Sequence, residues 1–475
     1  MSAHDAGIQS LPHQQEGTAF LRNKEAAALF DEQGLGKSKQ LIDAINEDAR
    51  EGVLDGALII CPNIIKATWG EEIQRHSTLR YAIFGAGRKA RRLTFQSLRA
   101  SFYVINYEAV AAELPSLRAL LRFKRMALVL DESHRIKTPE AKVTRAVHSL
   151  RALAVRRYIM TGTPVANKPE DLWAQYFFLD DGATLGRTFD AFRSRFCTSE
   201  GGYIRVDELR ERIASLSLRR EKLGTVELPS KTIVRVPVTL HGRQLSMYEE
   251  MRDQLALWIR DLSGEEILAK AENILTRLIR LAQLASNPAL IDSDYRETPA
   301  KFEALTELIP AYLQDDSDKV ILWTSFVGNI PTLQARFADL KPVTLYGEMD
   351  GPSRERAVAA FKTDPAVRLL VANPAAAREG LTLTQARTAM YIDRTFNLVD
   401  FLQSQDRIHR LSQKKPCEIV LLTAEGTIDE FIDFSISQKH RLARYTQRDT
   451  DEISIADLAL QKPDLLRALI EPANA

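Results

Sequence analysis

Cysteine is scarce in this chain. The three that occur, Cys61, Cys197 and Cys417, are scattered and odd in number. They fit neither a disulfide framework nor a zinc site, and they point to a reducing intracellular compartment. Long apolar runs are missing too, so nothing approaches the roughly 20 residues of a membrane span. The opening MSAHDAGIQS has no basic region followed by an apolar core, which excludes a secretory signal there. Charge of one sign is also lacking: 64 Lys and Arg against 63 Asp and Glu leave +1, so bulk charge does not advertise nucleic-acid binding. Basic residues gather locally at Arg88, Lys89, Arg91 and Arg92, at Arg219, Arg220 and Lys222, and at Lys414 and Lys415. Each cluster reads as a solvated face unless a fold aligns it along one groove. No fixed-period repeat or low-complexity tract occurs. The 475 residues, 45% of them hydrophobic, are too many for one ordinary core and predict two or three domains.

What is present begins with DEQGLGKSK, Asp31 to Lys39. Gly34 and Gly36 let backbone N–H groups turn inward without a Cβ clash. A helix starting near Lys37 aims its positive dipole end at bound phosphates. Lys37 then reaches the outer phosphates and the Ser38 hydroxyl takes a place on Mg²⁺. The usual pattern is G-x-x-x-x-G-K-[ST], and Asp31 stands where the first glycine belongs. Alone, the stretch favours a nucleotide loop over the bland alternative, a glycine turn before a surface helix.

Short apolar runs follow. GALIICP, FYVIN, RMALVLDESH and RRYIMTGTP read as buried strands separated by helical stretches, which implies a parallel sheet covered on both faces. Lys168 to about Arg220 reads as helical. LPSKT (Leu228 to Thr232) reads as a linker, TIVRVPVTL as a strand, and Gly242 to about Leu290 as a long helical region. A second series, VILWTS, PVTLYG, RLLVAN, AMYIDR and CEIVLLT, makes a second α/β lobe without a phosphate loop. The tail beyond about Arg444 reads as charged and helical. The expected boundaries are residues 1–232, 233–300, 301–446 and 447–475.

In parallel sheets ligands sit beyond the carboxyl ends of the strands. Asp131 and Glu132 end one strand there. One acid would hold Mg²⁺ and the other would orient the attacking water; the bland alternative is a pair of capping acids. Thr161-Gly162-Thr163-Pro164 ends the next strand and could sense the acid pair. In the second lobe, QSQDRIHRLSQ places Arg407 and Arg410 three apart, on one helix face. An arginine brought to the transferring phosphoryl group is worth on the order of 10³–10⁵ in rate. Asn167-Lys168-Pro169-Glu170 imitates a guanine-reading signature, but a GTPase has no use for the second lobe.

Taken together the motifs resemble the SWI/SNF-type ATPases of helicase superfamily two. LPHQQEG resembles their glutamine motif, with Gln14 in the adenine-contacting place. DEQGLGKS resembles their variant phosphate loop. LIICPNIIKATWGEEI, with Trp69, resembles motif Ia, DESH motif II, and MTGTPVANKPEDLWAQYFFL motif III. LRREK and LPSKT match connecting signatures. WTSF, LYGEMDGPSRERAVAAF, EGLTLTQA and DFLQSQDRIHRLSQ match motifs IV to VI. Motif V departs from the pattern at Ala376, Ala377 and Arg378.

The resemblance implies two tandem RecA-like lobes in the α/β class, with ATP between them. It implies ATP and Mg²⁺ as ligands, with Gln14, Gly34, Gly36, Lys37, Ser38 and Gly380 at the nucleotide and Ser38 and Asp131 at the metal. Catalysis would fall to Lys37, Asp131, Glu132, Arg407 and Arg410, and coupling to His134, Thr161, Thr163 and Gln403. Lys66, Ser325, Arg378 and Thr382 would line the nucleic-acid track, while Trp69 and Trp323 are expected to be core aromatics. The expected activity is ATP-driven translocation on duplex or branched DNA by a monomer. It would work in the cytoplasm of a bacterium or phage-infected host, close to the nucleoid. A strand-separating helicase and a nucleotide-switched scaffold are the alternatives.

Overall fold

The computed structural model describes residues 10–454 except 86, 88–90, 92–98, 199–201, 261–265, 267–269 and 378–380. These divide into two compact units. The first holds the described residues through Glu227 and again from Arg441 onward; the second runs from Leu228 to His440.

The first unit is built on seven parallel strands: β1 (Ala26–Leu29), β2 (Gly56–Cys61), β3 (Tyr81–Ile83), β4 (Phe102–Asn106), β5 (Met126–Asp131), β6 (Arg156–Met160) and β7 (Ser217–Leu218). Their order is β3-β4-β2-β5-β6-β1-β7. Strands β1 and β2 are buried along their whole length. Helices cover both faces of a sheet of this kind, so central strands read as unbroken apolar runs. That is why β2, β4, β5 and β6 were visible in the sequence. Strands β1, β3 and β7 were not: AAAL has little β character, β3 is partly exposed, and β7 has two residues. Helices α1 (Pro12–Arg22), α2 (Lys37–Arg50) and α3 (Lys66–His76) pack near the nucleotide motifs. Between residues 168 and 220 the expected helices occur at Asp171–Asp180, Phe189–Phe196 and Val206–Ala214. The carboxylate of Asp171 accepts the N–H groups of Asn167 and Lys168 at 2.7 and 3.3 Å, so the imitation guanine motif is the turn that leads into the helix Asp171–Asp180.

The second unit has six parallel strands: β8 (Lys231–Val238), β9 (Val320–Trp323), β10 (Val343–Leu345), β11 (Leu369–Ala372), β12 (Thr388–Tyr391) and β13 (Cys417–Ala424), in the order β10-β11-β9-β12-β13-β8. The edge strand β8 pairs with β13 over its full length, Lys231 opposite Cys417 and Val238 opposite Ala424. Among the described residues the long helical region holds the helices Gly242–Arg260 and Ala271–Ser286.

The helix Ile428–Thr446 ends in a turn, and, of the tail expected to be helical, residues 455–475 lie outside the described residues. Arg448 has φ +66°, and this left-handed residue turns the chain out of the helix. Beyond the turn the Asp449 carboxylate takes a forked pair of bonds from Arg219, at 2.8 and 3.0 Å. The same guanidinium donates to the carbonyls of Phe30 (2.6 Å) and Gly162 (3.2 Å).

Candidate active site

Strand β1 releases the chain into the loop that begins α2. Gly34 and Gly36 have φ +93° and +77°, a region open to glycine at no steric cost. Helix α2 starts at Lys37 without a side-chain cap, leaving its first N–H groups for an anion. The Lys37 ammonium donates to the carbonyls of Asp31 (2.6 Å) and Glu32 (3.2 Å), and burial lowers its pKa. Gln14 accepts the Leu11 N–H at 3.1 Å and lies 3.5 Å from the Leu35 carbonyl. A Cβ on Gly36 would come within 2.4 Å of Gln14 Nε2, so this glycine also makes room for the glutamine.

Asp31, the departure from the loop pattern, is fully buried. Arg220 forks onto it, Nε to Oδ1 at 2.9 Å and Nη2 to Oδ2 at 2.6 Å. Gln40 Nε2 adds a third bond at 3.0 Å. Arg220 also donates to the His13 carbonyl and, at 2.9 Å, to Gln40 Oε1. One guanidinium therefore ties α1, the phosphate loop and α2 to the LRREK segment. In the sequence Arg220 stands in a basic cluster that does not disclose this role; the one signal for it is an acid where the loop pattern has glycine.

In register, Asp131 of β5 lies beside Met160 of β6, and Met160 beside Leu29 of β1. The loop, the acids and Thr161 thus share one sheet edge. Asp131 Oδ1 accepts the Glu132 N–H at 3.0 Å, and Oδ2 accepts the Trp69 indole N–H at 2.8 Å. Desolvation first, and Glu132 second, push the Asp131 carboxyl up to about 7. Glu132 sits at φ +51°, a conformation that costs a non-glycine residue about 1–2 kcal/mol. Its carboxylate accepts from Thr161 Oγ1 (3.0 Å) and Gln33 Nε2 (3.3 Å). His134 Nδ1 lies 3.4 Å from it and 3.3 Å from Thr161 Oγ1. The Thr163 N–H donates to Thr161 Oγ1 at 3.1 Å. A hydroxyl can donate once and accept twice, so Thr161 links the acid to the TGTP turn. The predicted coupling residues of this unit are therefore in contact.

In the second unit one local expectation is corrected. The helix Leu398–Gln405 ends before either arginine, so Arg407 and Arg410 occupy the turns after it instead of one helix face. Each folds back on a carbonyl four residues earlier, Arg407 Nε to Gln403 and Arg410 Nε to Asp406, both at 2.8 Å. Such bonds satisfy carbonyls that a helix end leaves open. Arg407 also donates to the Leu381 carbonyl at 3.1 Å, and Arg410 to Thr382 Oγ1 at 2.9 Å. Burial lowers the pKa of Arg410. Gln403 is buried.

The Ser325 N–H donates to Asp393 Oδ1 at 2.5 Å, while Asp393 Oδ2 gathers Ser286, Thr324 and Asn329 at 2.8, 2.8 and 3.2 Å. A cavity of about 110 Å³ opens beside Ser325, Asn373, Arg394 and Asn397. Lys66, in the first unit, donates to the Phe84 carbonyl and to Asn106 Oδ1. Arg378 and Gly380, and Arg88, Lys89 and Arg92 of the basic cluster, lie outside the described residues.

A hydroxyl at Ser38 and a carboxylate at Asp131 are the hard oxygen donors that Mg²⁺ takes alongside phosphate oxygens, and the uncapped loop-to-helix turn fits the phosphates themselves. Phosphate loop, acid pair and threonine relay on one parallel sheet, with a second parallel unit in the same chain, define a helicase-like nucleotide hydrolase. Residues 13–290, more than half of the chain, match the SNF2-related domain, and residues 300–412 match the helicase conserved C-terminal domain. The chain belongs to the SNF2-related family of helicase-like ATPases.

Among curated relatives, "Chromodomain-helicase-DNA-binding protein 1-like" of Danio rerio is 28% identical over 462 residues, 92% of this chain and 44% of its own length. An "Uncharacterized ATP-dependent helicase" of Mycoplasma pneumoniae is 26% identical over 444 residues, 91% of this chain and 42% of its own length. "TATA-binding protein-associated factor MOT1" of Saccharomyces cerevisiae is 26% identical over 499 residues, 88% of this chain and 26% of its own length. The chain thus spans less than half the length of these relatives. A solved structure, "Sulfolobus solfataricus SWI2/SNF2 ATPase core in complex with dsDNA", covers 100% of this chain and 99% of its own at 26% identity, with a TM-score of 0.45. Among the described residues no helix is long and apolar enough to cross a membrane.

Proposed function

We propose that this protein hydrolyses ATP and uses the cycle to translocate along duplex DNA, displacing bound proteins or remodelling branched DNA. The observation that carries the ATPase half is the shared sheet edge of Lys37, Ser38, Asp131, Glu132 and Thr161. Lys37 holds the outer phosphates, Asp131 and Ser38 serve Mg²⁺, and Glu132 aligns the attacking water. Arg407 and Arg410 supply charge to the transferring phosphoryl group. The DNA half rests on family membership, and relatives named for DNA binding and for TATA-binding protein support it. Lys66, Ser325, Arg378 and Thr382 would contact the phosphate backbone, all four on motif position alone, and the Lys66 ammonium is held by Phe84 and Asn106. Binding is then largely sequence-independent and weakens steeply with salt.

The test is ATP turnover with duplex, single-stranded, forked and RNA ligands, paired with triplex displacement. Duplex-stimulated turnover that Lys37→Ala abolishes, with triplex displacement, is the expected result. Turnover indifferent to DNA, or surviving Lys37→Ala, refutes the proposal. Robust separation of forked DNA or RNA strands would make the protein a helicase in the strict sense.

A further inference from the structure

We infer that Trp69 positions the carboxylate that receives magnesium, and that the site uses its indole N–H in addition to its ring. The inference rests on the reading of Asp131 as the metal-binding acid. The ring is 2% exposed and belongs to the core of the first unit, as the sequence predicts. The N–H is a separate matter. Indole has one donor and no acceptor, and a buried indole usually finds a partner. The chain has four tryptophans. Trp173 donates to the Gly186 carbonyl at 3.0 Å, and the Trp323 N–H has no partner among the described residues. Trp69 alone of these three donates to a carboxylate, one 62 positions away in sequence.

The consequence is geometric. Asp131 has both oxygens held, Oδ1 by the Glu132 N–H and Oδ2 by Trp69, so its carboxylate plane cannot rotate freely. Each oxygen keeps lone-pair capacity for a metal or a metal-bound water. The backbone below is fixed too, because the Tyr107 hydroxyl donates to the Asp131 carbonyl at 2.9 Å. Helix α3 is seated closely: a Cβ on Gly70, next to Trp69, would come within 2.9 Å of Ile83 Cδ1. The indole thus reaches the acid from a helix that packs closely on β3 at Gly70. Trp69 acts through Asp131 and is a positioning residue, not a catalytic one.

Outer hydrogen-bond partners of metal ligands typically contribute 10- to 100-fold to metal affinity. Trp69→Phe keeps an aromatic ring and deletes the donor; Trp323→Phe controls for damage to a core. Equilibrium binding of a fluorescent non-hydrolysable ATP analogue, titrated with Mg²⁺ on the full chain, separates the two roles. The expected result is a Mg²⁺ requirement raised about 10-fold or more in Trp69→Phe. Binding without Mg²⁺ should be unchanged, and Trp323→Phe should behave as wild type. A folded Trp69→Phe with wild-type Mg²⁺ dependence overturns the inference, as does an equal loss with and without Mg²⁺. If wild-type protein shows no Mg²⁺-dependent nucleotide binding, the ATPase reading falls and takes the inference with it. Should Trp69→Phe not fold, wild-type protein carrying ¹⁵N-indole label answers the same question. Its Trp69 resonance, assigned by replacing the other three tryptophans singly, should shift on adding Mg²⁺ and nucleotide. A resonance that does not move refutes the role.

Discussion

Arg220→Met tests the view that the phosphate loop is held from behind by one buried ion pair. The substitution keeps much of the side-chain length and removes the fork. Asp31, at 0% exposure, would keep only the Gln40 amide at 3.0 Å. Stripping one partner from a buried pair costs about 3–5 kcal/mol, and the surviving amide places this case near the lower figure. For a unit of this size each kcal/mol moves the midpoint by about 2–4 °C, so the first unit should melt roughly 6–12 °C lower. Asp31→Gly, which restores the general loop pattern, should cost less. It removes the buried charge and leaves Arg220 with the His13 and Gln40 oxygens. The double variant should be milder than the sum of the singles by about 1–3 kcal/mol. Scanning calorimetry that follows each unit's transition reads these shifts, and nucleotide binding reads the effect on Gln14 and the loop. A midpoint for Arg220→Met within about 2 °C of wild type, or strictly additive variants, would refute the reasoning.

Two further expectations concern the same unit. Gly17→Ala should destabilise by about 1–2 kcal/mol although alanine favours helices. Its Cβ would fall 1.7 Å from Gln40 Oε1 and 2.8 Å from Arg220 Nη2, and Gln40 is itself pinned; thermal melting checks this. His148 donates to the Ala174 carbonyl at 2.9 Å, and burial pushes its pKa down to about 4 from the usual 6.5. The unfolded chain therefore binds the extra proton between those values. Stability is fully present above about pH 6.5 and declines by about 3 kcal/mol as pH falls to about 4. Denaturant melts across that window should lose this slope in His148→Gln.

The sequence showed most plainly what depends on continuous apolar runs and ordered motifs. GALIIC and MALVLD are central strands because nothing polar interrupts them, and the acids after MALVLD mark the end of the sheet where the site lies. Features set by distant partners stayed hidden. Asp31 looked like a flaw until Arg220, 189 positions later, was seen to neutralise it. Trp69 read correctly as core, but its N–H had no visible destination. Arg407 and Arg410 were assigned a helix face by spacing alone, and spacing cannot report that the helix stops at Gln405. Strand β1 was missed for a reason of composition: four residues, three of them alanine, gain their strand conformation from β6 and β7 on either side.

The Arg219–Asp449 pair has a consequence for dissecting the molecule. The first unit consists of two separate lengths of chain, so a fragment ending at Glu227 is not that unit. It would carry Arg219 without its counter-ion, directly beneath the carbonyls of Phe30 and Gly162 that flank the nucleotide motifs. A fragment of this kind is best regarded as a socket missing its plug. A peptide beginning near Arg441 and carrying Asp449, added in trans, is the piece that would complete it.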